Sequence, residues 1–415
     1  MAIIKPFKAL RPAKQNAEKV ASVPYDVVNT VEARELAEGN PLSFLRVTRS
    51  ELELNEHTDP YSHEVYLRAK ENLDKLINDG VLISDEKEHF YIYRLIMDGR
   101  SQTGIAAAFS VDDYDNNVIL KHEKTRKVKE DDRTNHITIT DAQTGAVFLT
   151  YKGTSEVDKI MNNTTASCKP LYDFTSADGI KHTVWILPDE DNQKIIDEIA
   201  KVKNLYIADG HHRAASASRA RAVKKDAGKN YTGNEEYNFF LAVLFSSAQL
   251  KIMPYNRVVA DLNGNDKEEF LNKVSGKFIV NKSEIKEPLE PKSYGMYLDG
   301  QWYMLKARDS VTASNSLSSS VSETLDVSVL QNFLLNPVLG IDDPRTNKRI
   351  DFVGGIRGTK ELEKIVNSGK AAVAFSLFPV SVNDLMKISD AGEIMPPKST
   401  WFEPKLRDGL LVHLI

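Results

Sequence analysis

The run Leu205-Tyr206-Ile207-Ala208-Asp209-Gly210-His211-His212-Arg213 constrains this chain more than any other stretch. An apolar strand stops at an Asp-Gly pair, and an Ala/Ser-rich helical segment begins at once. Such a junction stacks a helix against the end of a strand, which points to mixed layers of helix and sheet. It also has a chemistry. Backbone N–H groups at a helix start lack intrahelical acceptors and the helix dipole adds positive potential, so the turn suits an anion. Arg213 adds a fork for phosphate or carboxylate. Asp209, His211 and His212 are able to move protons or hold a metal. The plainer reading is a surface corner with one satisfied histidine; five such residues in a single turn favour function.

At 415 residues the chain exceeds one ordinary core, and two regions are expected, 1–230 with the turn and 231–415 beyond it. Apolar content of 41% and charged content of 27% describe a globular protein. A net charge of −5 argues against coating nucleic acid. The best basic cluster (Arg219, Arg221, Lys224, Lys225) is one helix in an acidic chain. No apolar run reaches the roughly 20 residues of a membrane span, and the first residues lack the apolar core of a signal peptide. Cys168 is the single cysteine, which excludes an intrachain disulfide and thiolate-rich zinc sites. Together these features lead to an expectation of a cytoplasmic protein.

Along the chain, Thr30 reads as the N-cap of a short helix, and a longer helix is expected from about Pro60 to Asn78 with Gly80 as its stop. Residues 89–96 and 101–110 read as strands joined across Asp98-Gly99-Arg100. The middle alternates strands (147–151, 183–187, 204–208) with helices (191–202, 211–225), the pattern of a mixed α/β or α+β fold. The loop Gly228–Asn234 reads as a boundary or lid, and Phe239–Phe245 as a strand buried on both faces. The Ser-rich stretch Ser310–Ser322 reads as a mobile loop.

Two further segments carry candidate chemistry. Lys121–Arg133 mixes both charges densely after a short strand; it is either a solvated face or a phosphate-facing segment. On the second reading Glu123 and Asp132 are candidates for a base or Mg²⁺ ligand, and Arg126 and Arg133 for phosphate contacts. Neighbouring histidines point about 100° apart on a helix, so His211 and His212 do not form a zinc pair; an oxygen-ligated Mg²⁺ is the better expectation. Near the C-terminus, Pro396-Pro397 stiffen a loop presenting Lys398 and Ser399, without P-loop glycines. That loop is either a rigid plug or a second contact to the anion at Arg213. Gly354-Gly355-Ile356-Arg357-Gly358 lacks a clean dinucleotide fingerprint and defaults to a strand-end turn. Arg257 and the Tyr25-Asp26 pair are weaker candidates.

Pro6-Phe7, Ala9-Leu10-Arg11-Pro12, Pro24-Tyr25-Asp26-Val27-Val28, His122-Glu123, Glu130 with Asp132-Arg133, Ile207–Arg213 and Met395–Phe402 together resemble, end to end, a bacterial and archaeal family of about this length that carries a domain-of-unknown-function label. Over about ten residues, the Asp-Gly-His-His-Arg turn is also similar to the phosphate site of the ParB/sulfiredoxin superfamily, in the variant of free L-serine kinases. Sulfiredoxin chemistry needs a cysteine where this chain has His211. The resemblance implies an α+β fold with a ParB/sulfiredoxin-like core, extra strands and helices and a C-terminal α+β unit. It implies phosphate binding by Asp209, Gly210, His211, His212 and Arg213; Arg126, Arg133, Lys398 and Ser399 are further candidate contacts read from the residues alone. A separate glutamate acts as base in those kinases, and Glu123 is the candidate on chemistry. The expected function is phosphotransfer to a small metabolite, with serine or phosphoserine the best guess, ATP or ADP as donor, and Mg²⁺ held partly by Asp209. The alternatives are a nucleotide-binding switch without turnover and a scaffold in which the turn only braces a junction. Homo-oligomers are possible; membrane and nucleic acid are not expected partners.

Overall fold

The computed structural model describes residues 1–228, 231–316 and 320–415. The chain is a mixed α+β protein and divides into two compact units, residues 1–250 with 404–415, and residues 251–403. The sequence reading placed its cut at 230/231, ahead of an apolar strand that belongs to the sheet of the first unit.

In the first unit, strands β1 (Tyr91–Met97) and β2 (Arg100–Ser110) form the expected hairpin. Asp98 and Gly99 take φ of 51° and 76°, the left-handed pair a two-residue hairpin turn requires. Then follow β3 (Ile119–Leu120), β4 (Val147–Tyr151), β5 (Tyr172–Thr175), β6 (Lys181–Ile186), β7 (Leu205–Asp209) and β8 (Phe239–Ser246). The sheet order is β3-β7-β4-β8-β2-β1-β6-β5, with Ile4–Lys5 paired onto β2. Strand β8 runs parallel to β4 and antiparallel to β2. It is buried along nearly its whole length, which is why its residues are apolar without alternation. Phe109, Leu149, Ile207 and Leu244 join Val157, Ile160, Ile195 and Ile199 from two helices, Ser155–Ser167 and Asp189–Ala200, in one core. Helices α1 (Lys127–Thr140) and α2 (His211–Ala227) pack on each other. Ser216 donates to the Glu130 carbonyl at 3.1 Å, and Arg219 pairs with Glu130 and Asp131.

Local details depart from the expected boundaries for identifiable reasons. The first predicted helix is capped by Asn29, not Thr30, because Asn29 and Glu32 close a reciprocal capping box. The long helix starts at His63. Residues Asp309–Ser316 of the Ser-rich stretch are helical, not loop, with buried Val311 as apolar anchor and the Arg308 carbonyl accepting from Val311 and Thr312. Residues 317–319 of that stretch, and 229–230 of the expected lid, lie outside the described residues.

The second unit was largely hidden in the sequence. It holds a six-stranded antiparallel sheet of β9 (Tyr255–Val259), β10 (Phe278–Lys282), β11 (Ser293–Leu298), β12 (Gln301–Ala307), β13 (Ile350–Gly354) and β14 (Val373–Leu377), ordered β10-β12-β11-β14-β9-β13. No helix among the described residues is long and apolar enough to cross a membrane.

The last dozen residues return to the first unit. Val412–Leu414 inserts between Ala9–Pro12 and Ala142–Gln143 in a small four-stranded sheet. Arg407 pins this segment: its Nε donates to His182 Nε2 at 3.2 Å, its Nη2 to Ser176 at 3.1 Å, and it pairs with Asp178. Burial and the neighbouring guanidinium pull the His182 imidazole down to about 3. It is therefore neutral, with Nε2 accepting from Arg407 and Nδ1 donating to the Tyr93 hydroxyl at 2.8 Å. Arg407→Met takes a donor from His182 Nε2 and Ser176 and the charged partner from Asp178. Urea unfolding is expected to show a loss of about 1–3 kcal/mol, with the circular dichroism of the folded state unchanged.

Candidate functional site

The turn after β7 is shaped by its residues in order. At Asp209 the pairing with β4 shifts register, Ile207 opposing Leu149 and Asp209 opposing Phe148. A bulge of this kind re-aims a side chain at a strand end. Gly210 follows with φ 92° and ψ 31° as the N-cap of α2. A Cβ there would sit 3.4 Å from the Val147 Cα in a conformation L-residues avoid. The first intrahelical hydrogen bond runs from Ala214 N–H to the Gly210 carbonyl. The N–H groups of His211, His212 and Arg213 thus lie at the helix start without intrahelical partners.

Each predicted residue of the turn has a distinct environment. Asp209 is partly exposed and lies between two cations, Lys405 Nζ at 3.3 Å and Arg213 Nη2 at 3.7 Å. His211 is buried and its Nε2 accepts from the His122 amide at 3.5 Å, so Nδ1 carries the proton, 3.9 Å from Glu123 Oε2. Burial, with His122, His212 and Lys121 nearby, holds the His211 imidazole well below its usual range. The His122 ring meets it edge-on at 4.4 Å and is itself pulled down to about 4 by burial. Both rings are neutral at pH 7. His212 Nε2 accepts from the Arg126 amide at 3.1 Å. Two segments 86 to 89 residues apart in sequence, 122–126 and 211–212, are thereby brought together.

Arg213 is buried beneath the turn. Its Nη1 donates to the Ala146 carbonyl at 2.6 Å and its Nη2 to Asp26 at 3.2 Å. Its charge is held more firmly than an ordinary arginine's because Asp26, Asp209 and Asp408 outweigh the cost of burial. Arg213 therefore supports the turn from below more than it reaches out as a fork. Its Nε has no partner among the described residues and lies at a small cavity of about 30 Å³. That is room for about two waters. Tyr25, Arg133, His136, Thr144 and Asp408 also line it.

The remaining candidates fall in different places. Arg126 brings its backbone amide, while its side chain is exposed. Arg133 is forked onto Asp132 at 3.0 Å and lies 4.0 Å over the Tyr25 ring. Asp132 is buried and also accepts from Tyr66 at 3.1 Å. Those two residues brace α1. Lys398 and Ser399 belong to the second unit. Lys398 lies 5.4 Å from the Tyr255 ring centre, and the buried Ser399 hydroxyl donates to the Pro396 carbonyl at 2.6 Å. The residues that sequence reasoning missed are Lys405 and Asp408. Lys405 lies seven residues beyond Lys398, and Asp408-Gly409 is one of six Asp-Gly pairs in the chain.

No group of three or more His, Cys, Asp or Glu able to hold a metal occurs among the described residues. Asp209 is one carboxylate between two cations, so it does not fit as the ligand of a resident Mg²⁺.

Residues 4–328 match DUF1015, a family described as protein of unknown function. The chain belongs to the DUF1015 family. No curated protein matches this DUF1015 chain significantly. Among solved structures it is similar to a conserved hypothetical protein from Pyrococcus furiosus, at 13% identity over 75% of this chain and 95% of that one, with a TM-score of 0.35. It is similar also to SbnI from Staphylococcus aureus (12%, 74% and 87%, TM-score 0.39) and to a free serine kinase in complex with AMP (13%, 75% and 92%, TM-score 0.34).

Asp408 gives this site a pH signature. Its carboxyl is pushed up to about 7, first by burial and further by Asp26, against the pull of Arg213 and Arg133. An unfolded aspartate titrates near 3.9. The folded chain holds the extra proton between these values, so stability falls as pH rises from about 4 to 7. Urea titrations at pH 5 and pH 8 are expected to show this loss in the wild type and its absence in Asp408→Asn. At pH 8 the variant should be the more stable by on the order of 1–3 kcal/mol.

Proposed function

We propose that this chain transfers a phosphoryl group between a nucleotide and the hydroxyl of a small metabolite, with free serine or phosphoserine as the leading substrate. The supporting observation is the placement of Glu123 beside His211, at the start of α2, although the two lie far apart in sequence. A carboxylate at an anion-binding turn is what a hydroxyl-activating phosphotransfer site needs. The ParB/sulfiredoxin-like character of the turn, read from some ten residues, is part of this proposal.

In the proposed reaction the phosphate rests on the N–H groups of the first turn of α2. Lys405, 3.3 Å from Asp209, supplies a cation there, and buried Arg213 supplies positive charge from below. Glu123 takes the proton of the acceptor hydroxyl as its oxygen bonds to phosphorus and the bond to the nucleotide oxygen breaks. The neutral Nδ1–H of His211 faces the Glu123 carboxylate and keeps its charge oriented. Asp209, fixed by its two cations, orients the transferred group. Positioning and charge stabilisation carry the rate. Any Mg²⁺ would arrive with the nucleotide phosphates, where such ions keep most of their ligands as water and phosphate oxygen.

Phosphorus NMR of the protein with serine or phosphoserine, Mg²⁺ and a panel of nucleotides tests this reading. Transfer is expected with one pair of substrates, and Glu123→Gln should lower kcat by roughly 10²–10⁴ while nucleotide binding persists. Nucleotide binding without transfer in any combination would identify a switch and sink the enzyme.

A further inference from the structure

The two arginines buried among the described residues of the first unit follow one rule: Arg213 pairs with Asp26 and Arg407 with Asp178. Each positive charge withdrawn from water carries a carboxylate, as the cost of burying it demands. Arg257, on β9 of the second unit, breaks the rule. It is 3% exposed, and among the described residues its hydrogen bonds go to neutral carbonyls, Tyr255 through Nη1 and Pro397 through Nη2 at 3.4 Å. A guanidinium has five donors. The ionisable groups that face it are Tyr255 and Tyr294, and burial pulls its charge down to about 10. The Tyr294 hydroxyl is already committed to the Asp326 carbonyl at 2.8 Å.

The surroundings are those of a ligand site. Arg257 lies 5.3 Å over the Phe352 ring. Tyr255 meets Phe352 edge-on at 6.2 Å and Trp401 edge-on at 5.1 Å. All three residues are half-buried. Lys398, exposed, brings a second cation to 5.4 Å from the Tyr255 ring centre. It does so from a left-handed backbone (φ 55°), an uncommon state for lysine that concentrates at ligand-binding turns. Across from Tyr255 in the sheet stands Gly354. A Cβ at Gly354 would lie 2.9 Å from the Trp401 ring, so this glycine makes room for an aromatic wall, not for a dinucleotide fingerprint.

We propose that Arg257, Lys398, Tyr255, Phe352 and Trp401 form an anion-binding site on the second unit that takes a nucleoside phosphate. The two cations neutralise the phosphate, and the rings stack the base. Arginine and lysine over aromatic rings provide the charge, and stacking on tyrosine and tryptophan adds sequence-tolerant affinity for the base. This assignment does not depend on phosphotransfer at the Asp209–Arg213 turn, because its readout is binding.

Calorimetric titration of the full chain with ADP and with inorganic pyrophosphate tests it. ADP is expected to bind about tenfold or more weakly to Arg257→Met and to Lys398→Ala. The thermal midpoint should hold in both, since Lys398 is exposed and replacing a buried charge that has no carboxylate partner with an apolar side chain of similar size removes a burial cost. Trp401→Phe should lose the change in fluorescence that ADP causes. Lys398 is exposed, so its variant reports even where Arg257→Met does not fold. Wild-type ADP affinity in Lys398→Ala, or in a folded Arg257→Met, overturns the proposal, as does pyrophosphate binding as tightly as ADP. A chain that binds ADP through these residues but transfers no phosphate to serine would refute the proposed function and leave this site standing.

Discussion

The buried guanidinium of Arg213 is the interaction on which the first unit's site depends. It ties three separate parts of the chain to one point: the Ala146 carbonyl just ahead of β4, Asp26 from the N-terminal segment, and Asp209 at the end of β7. A charge taken out of water this completely must be surrounded by acceptors or it unfolds the region that holds it. The acceptors here are the residues that shape the turn. Asp209 owes its orientation to Arg213 and Lys405, and Gly210 can be left-handed because it has no Cβ. The anion-binding geometry at the start of α2 is therefore a by-product of a structural clamp beneath it.

Much of this first unit could be read from its residues. The Asp98-Gly99 hairpin, the apolar strand at Phe239 and the strand–turn–helix at Asp209 each rest on local chemistry, and local chemistry is what a single sequence displays. Glu123 lies 3.9 Å from the His211 ring, a placement its own residue neighbours do not encode. Arg133 and Asp132 were harder to read, because a dense charge run looks the same whether it faces solvent or pairs inward. Here Arg133 lies over Tyr25 and forks onto Asp132, its immediate neighbour in sequence, so two candidate functional groups brace each other. Lys405 and Asp408 gave no local sign because their importance comes from pairing over long sequence distances. Lys405 meets a carboxylate almost 200 residues earlier, and no periodicity encodes that meeting.

The second unit was less legible for a related reason. Its six strands are antiparallel and short, and several alternate polar with apolar residues weakly, so neither a helix nor a strand period dominates. The Ser-rich stretch illustrates the same difficulty. Composition suggested a loop, but one buried valine and a backbone carbonyl that accepts twice are enough to start a helix at Asp309. Arg257 drew little weight as a lone cation in a strand. Its meaning emerges from comparison with the other buried arginines, each of which has an acid beside it.

The return of residues 404–415 to the first unit has a consequence for the order in which the protein can be made. Lys405, Arg407 and Asp408 are synthesised after the whole of the second unit, yet they complete the surroundings of Asp209, His182 and Arg213. A chain emerging from the ribosome has built the Asp-Gly-His-His-Arg turn about 190 residues before its last cation exists. The first unit must wait, incomplete, while residues 251–403 are made. Maturation of the site thus waits for residues 404–415, and a chain interrupted before them carries the motif without the environment that gives it meaning.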